Sequence, residues 1–128
     1  MRARVRHDRP VPRTVLVVDD HPAFRATARM LLDAAGWEVV GEAADVAGAL
    51  EAIGRLRPDV VLLDVQLPDG DGFEVLAALG AAAGPAPAVV LVSSRDRCDY
   101  GARIEESGAR GFIAKAELTG DALDEVLA

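Results

Sequence analysis

Short runs of apolar residues recur along the chain, and segments with helical periodicity separate them. Four of these runs are continuous rather than alternating, which indicates strands covered on both faces, as in a parallel sheet. A further segment, 37–42, is more polar and has the character of an edge strand. The five predicted strands therefore cover 15–18, 37–42, 60–63, 89–92 and 111–114.

The segments between these strands place apolar residues three and four positions apart, which is the spacing of one helix face. Pro22 suits the first turn of the first helix, Asp45 can cap the second, and the last helix begins near Thr119. The fourth segment has few apolar positions, mainly Tyr100 and Ile104, and predicts a weakly amphipathic helix. The predicted helices cover about 22–35, 46–57, 73–83, 99–107 and 119–128.

Strand and helix thus alternate five times along the chain. This order predicts an α/β fold in which helices cover both faces of a five-stranded parallel sheet and the crossovers are right-handed. A length of 128 residues fits one domain. We expect a flexible basic tail over residues 1–13 and one folded domain over residues 14–128.

Charge and composition exclude several classes of function. The net charge is −7, and residues 1–13 carry +4, which leaves −11 on the rest of the chain. Because phosphate repels an acidic surface, direct binding of nucleic acid is disfavoured. No apolar run approaches the roughly 20 residues of a membrane span. The single cysteine suits a reducing compartment, so we expect a cytoplasmic protein.

Polar side chains follow four of the five predicted strands at the point where each strand ends. In open α/β sheets the carboxyl ends of the strands form the ligand crevice. We therefore expect three carboxylates, a hydroxyl and an ammonium group to meet at one edge of the sheet. These groups belong to Asp19, Asp20, Asp64, Ser93 and Lys115.

Three neighbouring carboxylates repel one another and need a compensating cation. Lys115 supplies one charge, and Mg²⁺, which prefers oxygen ligands, would supply two more. A metal ion, an ammonium group and a hydroxyl together also suit a phosphoryl group. Asp64 is then the candidate nucleophile, because it ends a central strand, and Asp19 and Asp20 would hold the metal. We interpret His21 as a helix-start residue rather than a ligand.

The same residues resemble the receiver domain of response regulators in bacterial two-component signalling. The resemblance extends from about Thr14 to Ala128 and implies a flavodoxin-like sheet with strand order 2-1-3-4-5. The motifs that carry it are VLVVDDHP at 15–22, VVLLDVQLP at 60–68 followed by Gly72, VVLVS at 89–93 and GARGFIAK at 108–115.

The resemblance implies a role for each acidic residue at this edge. Asp64 would be the phospho-acceptor. Mg²⁺ would be held by Asp19, Asp20 and Asp64 together with the backbone carbonyl of Gln66. The protein would receive its phosphoryl group from a partner histidine kinase or a phosphotransfer protein, and it would catalyse at most its own phosphorylation and dephosphorylation.

Further residues would contact the phosphoryl group or respond to it. The resemblance implies that Ser93 and Lys115 contact the phosphoryl group and that Phe112 is the switch aromatic. Gln66 and Arg95 would tune dephosphorylation, although solvated loop residues are an equal alternative. Ala116 stands where the family often has a proline.

The resemblance also implies an output surface formed by helix 4, strand 5 and helix 5, which could act on a separate effector, on a DNA-binding domain beyond the end of this chain, or in a homodimer. Two alternatives remain open. One is a receiver-like interaction module that is not phosphorylated. The other is a phosphatase with an aspartyl-phosphate intermediate, which normally has an acid where this chain has Gln66.

Overall fold

The computed structural model describes residues 13–128 and contains the predicted five-stranded parallel sheet. The strands lie in the order β2-β1-β3-β4-β5, which confirms the order that the resemblance implied. Their bounds are β1 Thr14–Val18, β2 Glu38–Ala43, β3 Val60–Asp64, β4 Ala88–Ser93 and β5 Gly111–Ala114.

Within residues 13–128, five α-helices accompany the strands, together with two short 3-10 helices and a hairpin with two residues on each side. The helices are α1 Pro22–Ala34, α2 Val46–Leu56, α3 Gly72–Ala81, α4 Arg103–Glu106 and α5 Gly120–Leu127. The 3-10 helices are Arg97–Asp99 and Lys115–Glu117, and the hairpin pairs Gln66–Leu67 with Gly70–Asp71.

The continuous apolar runs are explained by packing on both faces of the sheet. Alternate residues of a strand point to opposite faces, so each strand contributes to two core layers. In β1, Val17 belongs to the layer that contains Leu32 of α1 and Leu123 of α5. Its neighbour Leu16 belongs to the opposite layer, with Ile53 of α2. A strand buried on both sides needs apolar residues at every position.

Side-chain caps fix where α2 and α5 begin. An oxygen of Asp45 accepts a hydrogen bond from the backbone N–H of Gly48 at 2.6 Å, and the hydroxyl of Thr119 accepts one from Ala122 at 2.9 Å. Pro22 occupies the first position of α1. The predicted starts of these three helices are thereby confirmed, and each start lies close to the carboxyl edge of the sheet.

The predicted fourth helix, 99–107, is wrong in extent. The structure has the 3-10 helix Arg97–Asp99, then a turn, and then only the single turn of α4. Gly101 lies in the turn with a φ of +58°, a conformation that interrupts a right-handed helix. Ile104 is the one buried residue of α4. The segment between β4 and β5 is therefore held by few apolar contacts.

Arg13, the first described residue, packs against the folded domain. The guanidinium carbon of Arg13 lies 4.9 Å from the centroid of the Trp37 ring, and the Arg13 carbonyl accepts a hydrogen bond from Glu38. The remaining residues of the predicted tail, 1–12, lie outside the described residues. Between residues 13 and 128, no helix has the length and apolar character needed to cross a membrane.

Candidate functional site

Two buried carboxylates and one ammonium group meet at the carboxyl edge of the sheet. Asp19 directly follows β1, Asp64 ends β3 and Lys115 follows β5. Asp19 is fully buried, and Asp64 is 3% exposed. The Nζ atom of Lys115 lies 2.6 Å from Oδ2 of Asp19 and 3.3 Å from Oδ2 of Asp64. The structure therefore brings together three of the side chains that the sequence predicted to converge.

Asp20 and His21 extend this group toward solvent. The backbone N–H of His21 donates to Oδ1 of Asp19 at 2.8 Å. The ring Nδ1 of His21 lies 3.0 Å from that same oxygen and 3.1 Å from Oδ1 of Asp20. His21 does precede the first residue of α1, as predicted, but its ring turns toward the carboxylates. The interpretation of His21 as a helix-start residue missed this contact.

The two buried carboxylates differ in how far neighbouring groups offset their negative charge. Burial raises the pKa of Asp19, but its contacts with Lys115 and His21 outweigh burial and hold the pKa below its usual range. Burial and the nearby charge of Asp19 raise the pKa of Asp64 to about 6, although Lys115 opposes the shift. Burial lowers the pKa of Lys115, but the two carboxylates more than offset this and raise it. One ammonium group thus serves two buried carboxylates.

The contacts of Asp64 are longer than those of Asp19. Oδ2 of Asp64 accepts a hydrogen bond from Lys115 at 3.3 Å, and Oδ1 accepts one from the backbone N–H of Gln66 at 3.3 Å. Lys115 lies closer to Oδ2 of Asp19, with which it forms an ion pair, but this buried oxygen accepts no hydrogen bond. Both carboxylates therefore retain capacity to bind another positive group.

A polar cavity of about 190 Å³ opens beside Asp64. Asp64 and Lys115 line it, whereas Asp19 and Ser93 do not. Ser94, which follows β4, supplies a hydroxyl-bearing residue to the cavity lining. The other lining residues are Asp20, His21, Gln66, Leu67 and Pro68. The cavity gives an incoming group direct access to Asp64 but not to Asp19.

The hydroxyl of Ser93 is bound to the segment between β4 and β5, residues 94–110, which contains α4 and is named the α4 segment. Ser93 is buried at the end of β4, and its Oγ lies 2.6 Å from the hydroxyl of Tyr100. The same Oγ accepts a hydrogen bond from the backbone N–H of Arg95 at 3.0 Å. The side chain of Arg95 is exposed and does not line the cavity. Ser93 thus lies at the predicted edge, but with its hydroxyl bound elsewhere.

Comparison with known families identifies this arrangement. The family model described as "Response regulator receiver domain" matches residues 15–127, which is nearly all of the described chain. The chain belongs to the receiver domain family of response regulators. The resemblance stated from the sequence is therefore confirmed.

Individual relatives of this receiver domain agree with the assignment. BvgA of Bordetella pertussis, named a transcription regulator of virulence factors, is 36% identical over 103 residues, which cover 80% of this chain and 49% of BvgA. EvgA of Escherichia coli, named a DNA-binding transcriptional activator, is 31% identical over 102 residues, with shares of 80% and 50%. The chain thus spans about half the length of these curated relatives.

Solved structures show the same fold. The signal receiver domain of NarL from Mycobacterium tuberculosis superposes with a TM-score of 0.81 at 37% sequence identity, and the match covers 93% of this chain and 99% of that one. A LuxR-family response regulator from Aurantimonas superposes with a TM-score of 0.76 at 28% identity, with shares of 91% and 85%.

Receiver domains bind Mg²⁺ at an acidic pocket, and the residues of this receiver domain fit such an ion. One potential ligand atom from each of Asp19, Asp20, His21 and Asp64 lies within 4.8 Å of the others. Three of the four are carboxylate oxygens, the donor type that Mg²⁺ prefers. Burial and then the negative charge of Asp19 raise the pKa of Asp64, and a bound cation would oppose the effect of Asp19. The position of the Gln66 carbonyl as a further ligand stays a prediction.

Aromatic rings link the edge of the receiver domain to α3 and β5. Phe112 of β5 is half-buried, and its ring centroid lies 5.9 Å from that of Tyr100. On the other side, the Phe73 ring of α3 lies 6.1 Å from Tyr100. The sequence singled out Phe112 but missed the polar role of Tyr100, which it treated as an apolar helix residue. The contact of Tyr100 with Ser93 crosses an irregular turn, so no periodicity signals it.

Proposed function

We propose that this receiver domain is a switch that is phosphorylated on Asp64 in a Mg²⁺-dependent reaction. The phosphoryl donor is the phosphohistidine of a partner histidine kinase or phosphotransfer protein in the cytoplasm. The observation that carries the proposal is the position of the Asp64 carboxylate, which is buried, faces the polar cavity and lies 3.3 Å from Lys115.

The cavity favours Asp64 over Asp19 as the acceptor. Asp19 is fully buried, is absent from the cavity lining and is paired with Lys115 at 2.6 Å. Asp64 lines the cavity and makes only longer contacts. A nucleophile must be reachable by the donor, and among the two buried carboxylates only Asp64 meets that condition.

In the proposed transfer, a carboxylate oxygen of Asp64 attacks the phosphorus. The bond between phosphorus and the donor histidine nitrogen breaks, and an acyl phosphate forms. Lys115 is close enough to pair with Asp64 before transfer and with the phosphoryl oxygens afterwards. When bound by Asp19, Asp20, Asp64 and the carbonyl of Gln66, Mg²⁺ supplies neutralisation of the negative charge on the carboxylates and the phosphoryl group.

Phosphorylation adds up to about two negative charges and strong hydrogen-bond acceptors at the edge of the sheet. We infer that these attract Ser93 and that Phe112 turns inward when Ser93 moves. The α4 segment is the element that shifts, because Ile104 is its one buried residue. The resulting change appears on the surface of α4, β5 and α5, where it acts on an effector or on a second copy of the chain.

The proposed effector follows from the relatives. BvgA and EvgA are named as regulators of transcription, and this chain spans about half of each. We infer that the output controls a DNA-binding domain or another effector outside this chain. The acidic character of residues 14–128 does not suit direct contact of the receiver domain with DNA.

The proposal is tested by binding of beryllofluoride, a phosphoryl mimic, measured by calorimetry with and without Mg²⁺. We expect the wild-type chain to bind beryllofluoride only when Mg²⁺ is present, and we expect Asp64→Asn to lose binding. Asp33→Asn is the matched control, because Asp33 is an exposed carboxylate of α1 that does not line the cavity. Equal binding by Asp64→Asn and Asp33→Asn would refute Asp64 as the acceptor.

A further inference from the structure

The hydroxyl of Tyr100 makes the closest polar contact to the Ser93 side chain. Its oxygen lies 2.6 Å from Oγ of Ser93, and Oγ also accepts from the backbone N–H of Arg95 at 3.0 Å. Ser93 is 1% exposed, so water does not compete for these bonds. Tyr100 is the only tyrosine of the chain. The hydroxyl proposed to contact the phosphoryl group is therefore already occupied.

Two rings fix where the Tyr100 hydroxyl lies. Phe73 packs against Tyr100 in an edge-to-face arrangement, and Phe112 packs at an interplanar angle of 53°. Phe73 is in turn covered by the guanidinium of Arg103, which lies 4.1 Å from the ring centroid. Since the Tyr100 ring is held by Phe73 of α3 and Phe112 of β5, the hydroxyl is preorganised at the end of β4.

We propose that Tyr100 is a positioning residue that holds the Ser93 hydroxyl away from the cavity and releases it when a phosphoryl group is present on Asp64. This inference rests on the proposed function. Ser93 does not line the cavity, whereas Asp64 and Lys115 do. Whichever of the two hydroxyls is the donor, Oγ must leave Tyr100 before it can enter the cavity. Tyr100 and the phosphoryl group therefore compete for one hydroxyl.

The competition connects the site to the α4 segment. Tyr100 follows the 3-10 helix directly, and two residues separate it from the start of α4. Loss of the hydrogen bond between Tyr100 and Ser93 removes a polar contact from the α4 segment. Only Ile104 of α4 is buried, so few other contacts hold this segment in place. Tyr100 also contacts Phe112, so a change at Tyr100 reaches β5 as well. A single hydrogen bond thus biases α4 and β5, two of the three elements of the proposed output surface.

The first test measures beryllofluoride affinity in the presence of Mg²⁺ by calorimetry. Tyr100→Phe keeps the ring and removes only the hydroxyl. A net hydrogen bond of ordinary strength corresponds to an affinity about two- to tenfold tighter in Tyr100→Phe than in the wild-type chain. In a Ser93→Ala background, where no hydroxyl remains to be released, we expect Tyr100→Phe to leave the affinity unchanged.

Ser107→Ala is the matched control for loosening of the α4 segment. The hydroxyl of Ser107 donates to the carbonyl of Ile104 at 2.6 Å, so this substitution removes a hydroxyl from the same segment without contact to Ser93. We expect no change in affinity. A gain in Ser107→Ala equal to that in Tyr100→Phe would overturn the inference, because general loosening would then explain both.

The second test uses the single tyrosine as a spectroscopic probe. With ¹³C-labelled tyrosine, the NMR signal of Tyr100 should shift when beryllofluoride and Mg²⁺ are added to the wild-type chain. In Ser93→Ala the signal should start near the shifted position and move little. An unchanged Tyr100 signal on binding would show that the hydroxyl stays in place and would overturn the inference.

The outcomes separate this inference from the proposed function. If the wild-type chain does not bind beryllofluoride, the proposed function fails and the release of Ser93 fails with it. If the wild-type chain binds and Tyr100→Phe binds with equal affinity, only the role of Tyr100 is overturned. A loss of affinity in Ser94→Ala but not in Ser93→Ala would assign the phosphoryl contact to Ser94 and would also overturn the inference.

Discussion

Asp64 is a buried carboxylate whose negative charge is only partly offset by the groups around it. It lies beside a second buried carboxylate, Asp19, and it shares with Asp19 the only ammonium group near it in the described part of the chain, that of Lys115. Its pKa is consequently raised to about 6, by burial first and by the charge of Asp19 second. Without a bound cation, the ionised form of Asp64 therefore costs stability.

This cost predicts a pH-dependent effect of Asp64→Asn on the free energy of unfolding without metal. The folded pKa of about 6 exceeds the unfolded value of about 3.9, so the folded state binds the proton more tightly. The contribution of Asp64 to stability is thus present below pH about 4 and is lost as pH rises through about 6. We expect Asp64→Asn to stabilise the chain by on the order of 2 kcal/mol above pH about 7.

Urea unfolding in a metal chelator checks this prediction, and Asp33→Asn again serves as the exposed control. The stabilisation by Asp64→Asn should shrink when the measurement is repeated near pH about 4. A stabilisation of the same size at both pH values would contradict a raised pKa of Asp64.

Gln66 and Arg95 differ in whether their side chains can affect hydrolysis of the acyl phosphate. The side chain of Gln66 is exposed and lines the cavity beside Asp64, whereas Arg95 does not line it. We expect Gln66→Ala to shorten the lifetime of the phosphorylated state severalfold, because removal of a covering side chain gives water easier access. Arg95→Ala should leave the lifetime nearly unchanged. Lifetimes measured by loss of radiolabelled phosphate decide this, and a larger effect in Arg95→Ala would contradict it.

At the residue scale, the sequence predicted positions better than orientations. Asp19, Asp64 and Lys115 could be placed together because each stands at the carboxyl end of a parallel strand, and the backbone alone brings such ends to one edge. The hydroxyl of Ser93 and the ring of His21 could not be placed, since their directions depend on side-chain rotamers. Ser93 accordingly lies at the predicted edge but points toward Tyr100.

Among the elements, the start of α3 is packed most closely against the site. Gly72 is buried in the first turn of α3, and a Cβ atom there would lie 2.8 Å from the backbone oxygen of Asp64 and 3.2 Å from Leu63. The backbone N–H of Gly72 also donates to Val65 at 2.8 Å. Glycine at this position lets the helix approach the end of β3.

This packing predicts opposite effects for two substitutions of glycine by alanine in helices. Gly72→Ala places a methyl group against the backbone of Asp64 and should destabilise the chain by about 1–3 kcal/mol. Gly54→Ala in α2 meets no atom within 4 Å, so the greater helix propensity of alanine should stabilise it by up to about 1 kcal/mol. Thermal or urea unfolding measures both, and a destabilised Gly54→Ala or a neutral Gly72→Ala would contradict the packing.

Element boundaries were predictable where one residue decides them. Asp45 and Thr119 cap their helices with side-chain oxygens, and the sequence indicated both starts. The α4 segment was not predictable to the same degree, because Tyr100 and Ile104 suggested an apolar face that Gly101 interrupts. When the apolar pattern of a segment is weak, a glycine within it indicates that the helix is interrupted. It does not indicate whether the residues before or after the glycine remain helical.

At the scale of the whole molecule, the candidate metal site predicts that Mg²⁺ binding is coupled to folding. The acidic residues come from separate strand ends, and they form a site only when the sheet is assembled. An ion that binds only the folded state stabilises it, by about 2.7 kcal/mol at a concentration about 100 times its dissociation constant. The strand order was predictable from the resemblance, and the two-layer core from the continuous apolar runs.

We expect Mg²⁺ to raise the melting temperature of the wild-type chain and of Asp33→Asn, and to have a much smaller effect on Asp19→Asn. Asp19 contributes a buried carboxylate to the candidate metal site, whereas Asp33 is an exposed residue of α1. Differential scanning fluorimetry across a Mg²⁺ titration provides the measurement. An equal rise in all three proteins would place the Mg²⁺ effect elsewhere on the surface.

The most direct test of the central claim is intact-protein mass spectrometry after incubation with acetyl phosphate and Mg²⁺. The account predicts that the wild-type chain and Asp33→Asn each gain the mass of one phosphoryl group and that Asp64→Asn gains none. It also predicts that omission of Mg²⁺ suppresses the gain. Persistent labelling of Asp64→Asn, or a wild-type chain that is never labelled, would contradict Asp64 as the phospho-acceptor.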